Sequence, residues 1–149
     1  RSTLSSSSAA SDVYKRQVDS FRLLNEINKQ AQKHNRVIDC LLQIKIADEE
    51  SKFGMSEVEA TTLLDSEEIK TLQNVKVTGL MGMATFTDNV IQLEEEFGYL
   101  KSVYEKMKSQ HPDLQILSMG MSGDYTLAIE HGSTMVRVGS AIFGARNYV

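Results

Sequence analysis

Between Asp19 and Asn35 the apolar residues Leu23, Leu24, Ile27 and Ala31 recur at helical spacing, with Arg22, Glu26 and Lys29 on other faces. This predicts a first helix, which Asp19 or Ser20 can cap. Val37 to Ile46, VIDCLLQIKI, is mostly apolar, and its near-continuity over Cys40 to Leu42 predicts a strand covered on both sides. Gln43 and Lys45 are two apart, share one face of that strand and point to a polar centre. Ala47 to Met55 is a charged loop. Ser56 followed by Glu59 makes a capping box for the next helix, expected to finish around Asp65 to Leu72.

The alternation continues. Val75 to Met83, VKVTGLMGM, predicts another strand, in which Gly79 and Gly82 let other backbone or a flat ligand come close. From the residues alone, Met81 and Met83 read as core. After a loop at Thr85 to Asn89, Leu93, Phe97, Leu100, Tyr104 and Met107 mark one face of a long helix that His111 and Pro112 stop. Ile116 to Met119 and Met135 to Val138 are short apolar runs around a helix that starts near Ser122 and ends at Gly132.

The order is helix, strand, helix, strand, helix, strand, helix, strand, with right-handed crossovers long enough for parallel connection. It fits a small open α/β sheet or part of a (β/α) barrel. An intact eight-stranded barrel takes roughly 250 residues, and this chain has 149. The expectation is a partial TIM-type (β/α) barrel, approximately its last four strands, spanning residues 18–149. Residues 1–17, RSTLSSSSAASDVYKRQ, are serine-rich and polar and are expected to form a disordered tail or a foreign junction.

Composition narrows the chemistry. With 16 basic and 20 acidic residues, a net charge of -4 and no long basic cluster, no nucleic-acid partner is expected. No apolar run approaches the ~20 residues that span a bilayer, so no membrane association is expected. The one cysteine, Cys40, excludes a disulfide within the chain and suits a reducing, cytoplasmic setting. His34, His111 and His131 fall at helix ends rather than in a ligand-spaced group, and no metal is expected. Nothing in the sequence identifies a protein partner.

The chemistry-bearing pattern lies in Ile116 to Gly144. Two consecutive strands each run into a small loop carrying glycine and serine: Ser122 and Gly123 after the first, Gly139 and Ser140 after the second. In parallel neighbours both loops lie at one edge of the sheet, where backbone N–H groups, two hydroxyls and a helix N-terminus can converge on a phosphate. The plainer alternative is a turn glycine and an N-cap serine. Neither loop is a nucleotide-binding signature, and no GxSxG elbow is present. Arg137 interrupts TMVRVG near the end of a buried-looking strand. There it either pairs with an acid or donates to the polar edge of a bound aromatic cofactor.

At these residues SMGMSGDYTLAIEHGSTMVRVGSAIFG resembles the C-terminal signature of the pyridoxal-phosphate homeostasis protein family, stand-alone proteins with a barrel like the N-terminal domain of alanine racemase. The resemblance extends through VTGLMGMA, the EESKFG loop and VDSFRLLNEINKQA, covering Val18 to Val149. It implies pyridoxal 5'-phosphate as the cofactor. Ser122, Gly123, Gly139 and Ser140 would grip its phosphate, Arg137 would face the pyridine nitrogen, and Met81 would lie near the ring. It also implies cofactor homeostasis without robust catalysis. The family holds the cofactor as a Schiff base on a lysine of the first barrel strand, and no lysine here matches it. Lys45 stands where the family commonly has QVN, and Lys52 matches a loop lysine that is not the anchor. Two other functions compete. An amino-acid racemase of the same barrel class would need that lysine and a further β-domain, which the five residues after Gly144 do not supply; a noncatalytic phosphate-sensing interaction module would need neither.

Overall fold

The computed structural model describes residues 16–48 and 54–137. Five strands form one wholly parallel sheet in sequential order: β1 (Arg16–Val18), β2 (Ile38–Gln43), β3 (Val75–Gly82), β4 (Ile116–Met121) and β5 (Met135–Arg137). The helices are α1 (Phe21–Lys33), α2 (Glu57–Asp65), α3 (Glu67–Lys70), α4 (Val90–Gln110) and α5 (Tyr125–Glu130). A doubly wound sheet reverses its strand order at a switch point and carries helices on both faces. Among the described residues this sheet does neither, and it corresponds to a stretch of barrel wall.

β1 corrects the expected count of four strands. It takes in Arg16 and Gln17, which the sequence assigned to a tail, and registers Gln17 with Leu41 and Val18 with Leu42. The polar RQV gives no apolar run to recognise; what makes it a strand is its parallel pairing with β2. Residues 1–15 of the expected tail lie outside the described residues, as do Lys52 and the rest of 49–53 in the charged loop.

Side chains alternate across the sheet, so residues in register share a face. Val18, Leu42, Leu80 and Leu117 form one row and are all buried in a single core with Leu24 of α1, Ala60, Leu63 and Leu64 of α2, Phe97 and Leu100 of α4, and Ala128 of α5. The helices therefore cover the face of this row. The long α4 buries the predicted stripe of Leu93, Phe97, Leu100, Tyr104 and Met107, together with Glu96, which no apolar pattern announces. Gly82 is on the helix-covered face: a Cβ there would lie 2.8 Å from Leu100 Cδ2. Gly79 is required by backbone instead, since a Cβ would collide with the Ile116 carbonyl of β4. Both glycines thus serve packing.

The caps follow local chemistry. The Ser20 hydroxyl accepts the Leu23 N–H at 3.1 Å. Ser56 and Glu59 form the expected capping box, the Ser56 N–H donating to Glu59 Oε1 at 2.9 Å and the Glu59 N–H to Ser56 Oγ at 3.1 Å. The helix expected to finish around Asp65 to Leu72 ends at Asp65, and Ser66 then caps the short α3. His34, His111 and His131 occupy the C-caps of α1, α4 and α5, as their spacing predicts.

Candidate functional site

All five described strands run the same way, so the segments leaving β2, β3 and β4 emerge at one end of the sheet, the end at which Arg137 closes the described part of β5. A row on the face opposite the helix-packed core leads there: Gln43, Met81, Ser118 and Met135 are register partners on four adjacent strands. Gln43, Met81 and Ser118 are buried, at 8%, 1% and 2% exposure. A buried row that mixes a carboxamide, a thioether and a hydroxyl is unlike the apolar row on the other face. Lys45 follows Gln43 at the exit of β2 and is exposed.

One level further out, Met121 of β4 registers with Arg137 of β5. Between Ser118 and Met121 the register slips, and Gly120 within the slip has φ +103, a left-handed value that favours glycine. A Cβ on Gly120 would also lie 2.7 Å from Ala128 Cβ in α5. The slip sets Met121 beside Arg137 and directs the chain into the turn of Ser122, Gly123 and Asp124. The Asp124 carboxylate does not cap α5. Its Oδ1 accepts the Met121 N–H at 2.7 Å, and the Asp124 N–H donates to the Met121 carbonyl at 3.1 Å, closing the turn on itself. The helix consequently begins at Tyr125 rather than near Ser122. Gly123 is exposed, and nothing beyond its chain neighbours lies within 4 Å of where a Cβ would start, so the space on that side of the turn is open.

The structure thus brings Arg137, Ser122 and Gly123 together on the rim of two adjacent strands, and sets Met81 deeper, on β3. Gly139, Ser140 and Val138 lie outside the described residues. Arg137 corrects one expectation: it is exposed, and Met135 and Val136 are only half-buried. The cation therefore stands in solvent, without the desolvation that made a partner obligatory. The groups placed at this rim, the Arg137 guanidinium, the Ser122 hydroxyl and the Gly123 N–H, are all able to donate hydrogen bonds. The Asp124 carboxylate beside them is turned to a backbone donor.

Sequence reading missed the residues that hold these strands together. Ser133 Oγ donates to the Met119 carbonyl at 2.6 Å, and Thr134 Oγ1 accepts the Leu117 N–H at 2.8 Å, tying the start of β5 to β4. Thr85 and Glu96 form a second link, at the exit of β3. The only signal for either was a hydroxyl residue beside a strand end, which is common in loops.

The family model for the alanine racemase N-terminal domain matches residues 8–147, a span that begins inside the segment 1–17 set apart by sequence. A pyridoxal phosphate homeostasis protein of Haemophilus influenzae is 41% identical over 133 residues, covering 88% of this chain and 55% of that protein. A solved structure from Bifidobacterium adolescentis superposes with a TM-score of 0.76 at 32% identity, over 86% of this chain and 51% of that one. PipY of Synechococcus elongatus, in a structure with pyridoxal phosphate bound, gives a TM-score of 0.72 at 28% identity, over 85% of this chain and 58% of PipY. The chain spans about half the length of the relatives it matches. Strand order, helix-covered face and this match together place the chain in the alanine racemase N-terminal domain family.

Proposed function

We propose that this chain supplies the phosphate-holding part of a barrel that binds pyridoxal 5'-phosphate and serves intracellular homeostasis of that cofactor, retaining it rather than turning it over. The observation that carries the reading is the register of Met121 with Arg137, which sets the Ser122–Gly123 turn after β4 beside the end of the described part of β5. The homeostasis name of the Haemophilus protein and the pyridoxal phosphate in PipY support it. Ser122 and Gly123 donate to the phosphate, and Gly139 and Ser140, just beyond Arg137 in the chain, complete the set. Met81 lies toward the ring.

When bound, this cofactor supplies an aldehyde for capturing amines and a ring that can accept electrons. Arg137 acts against the second property: a permanent cation at the pyridine nitrogen disfavours its protonation. Residues 18–149 form the barrel portion in this reading, and a cytoplasmic setting belongs to it, supported by the lone, buried Cys40. Among the described residues no helix is long and apolar enough to cross a membrane.

The test is a titration followed by absorbance and fluorescence. Pyridoxal phosphate is expected to bind, inorganic phosphate to compete, and Ser122→Ala to weaken both while leaving pyridoxal unchanged. An equal loss for pyridoxal and pyridoxal phosphate defeats direct phosphate recognition. Lys45 is exposed, so burial does not hold its amine against a ligand. Borohydride reduction with stoichiometric cofactor should label lysines at scattered, low occupancy; near-complete labelling of Lys45 alone, lost in Lys45→Ala, would show an anchor in this chain.

A further inference from the structure

The exit of β3 carries a buried carboxylate that the site described above does not use. Glu96, on the core-facing side of α4, is 7% exposed. Three donors meet its two oxygens. The Thr85 N–H donates to Oε1 at 2.7 Å, the Thr85 hydroxyl to Oε2 at 2.6 Å, and the Gln92 carboxamide to Oε2 at 3.0 Å. The chain of bonds continues across to the next strand exit, where the Asp48 N–H donates to Thr85 Oγ1 at 2.8 Å. One side chain on a helix thereby ties together the segments leaving β2 and β3, which carry Gln43 and Met81 four or five residues earlier.

The donor count explains why the residue is a glutamate. A carboxylate presents acceptors only, whereas a carboxamide presents one accepting and one donating end. Glutamine at this position would turn an N–H₂ group either on the Thr85 N–H or on the Thr85 hydroxyl and Gln92 carboxamide, so the present set of three donors on two acceptor oxygens is kept only if those side chains reorient. A merely space-filling role would not require acceptors at both oxygens.

We propose that Glu96 is a positioning residue: acting through Thr85, it fixes the exits of β2 and β3 in one geometry, and that geometry is what the ring side of a bound pyridoxal phosphate meets. The second half rests on the site reading given under Proposed function. The brace is on the β2 and β3 side, away from the phosphate-facing Ser122 and Gly123 of β4. Its loss should therefore discriminate between the two ends of the ligand.

Three variants of the full chain test this by amide hydrogen exchange and by titration with pyridoxal phosphate and with inorganic phosphate. Glu96→Gln should speed exchange at the Thr85 and Asp48 amides and weaken pyridoxal phosphate about tenfold, the scale of one lost hydrogen bond to a charged group. The affinity for inorganic phosphate should stay unchanged. Thr85→Val keeps the side-chain shape but removes the hydroxyl, so it should expose the Asp48 amide while Thr85 stays protected by Oε1. The exchange of roles in Gln92→Glu with Glu96→Gln restores a matched donor and acceptor set and should recover most of the affinity. Unchanged exchange at both amides in the first variant overturns the brace, and equal weakening of both ligands overturns its positioning role. If the parent chain binds neither ligand, the site reading fails by itself, and exchange confined to Thr85 and Asp48 still decides whether the brace exists.

Discussion

Leu80 and Met81 are consecutive residues of β3, equally buried, and they belong to different parts of the molecule. Leu80 registers with Leu42 and Leu117 in the apolar core shared with the helices. Met81 registers with Gln43 and Ser118 in a row that leads to the rim of Ser122 and Arg137. Burial is the same and the company differs. A close-packed apolar row fixes the strands against their helices, while a buried row with hydrogen-bonding groups gives a surface that can be specific. The fraction of a side chain hidden from water therefore does not say whether it is there for stability or for binding; the register does.

The sharpest way to break this comparison is Leu80→Ala. It should lower the unfolding free energy by about 2–5 kcal/mol, the usual range for truncating a buried leucine, as read from denaturant unfolding. If stability hardly moves, the helix-covered face is not the main core. Next in size, Ser122→Ala should leave the unfolding midpoint in place and weaken pyridoxal phosphate by roughly 1.5–3 kcal/mol, the value of a hydrogen bond to a charged acceptor. A shifted midpoint with unchanged affinity would move Ser122 from the binding side to the structural side.

Met81→Leu is smaller still. The swap nearly conserves volume and should cost less than about 1.5 kcal/mol in stability, with a changed fluorescence of bound cofactor marking contact with the ring. Identical spectra would return Met81 to a purely packing role. The smallest expected effect is a control far from the rim. In the capping box, the Ser56 backbone N–H and then its hydroxyl hold the Glu59 carboxyl below its ordinary value of 4.5. A carboxylate favoured by folding stabilises above that value, and the benefit fades as pH falls through the lowered one. Thermal melts of Glu59→Gln should differ slightly from the parent at pH 7 and converge with it in acid. Divergence that grows in acid would contradict the capping role.

Much of this architecture follows from the sequence by itself. The helical period from Leu93 to Met107, the apolar run at Cys40 to Leu42 and the Ser56–Glu59 pair are local signals, each written within about a dozen residues, and the structure realises all of them. The sequence also marks Ser122, Gly123 and Arg137 as candidates by their place after or within short strands, and the register of Met121 with Arg137 brings those two segments side by side. Tertiary structure decided what depends on partners distant in sequence. RQV becomes a strand because β2 offers it a ladder, and Gly79 is glycine because the carbonyl of Ile116 comes close. Glu96 is the clearest case. On its own helix it reads as one more solvated acid among Glu94 and Glu95, and only packing brings the Thr85 hydroxyl and amide, eleven residues away, onto its two oxygens. A hydrophobic period encodes which face is buried, but it carries no information about which buried position will find donors, since those are supplied by the fold.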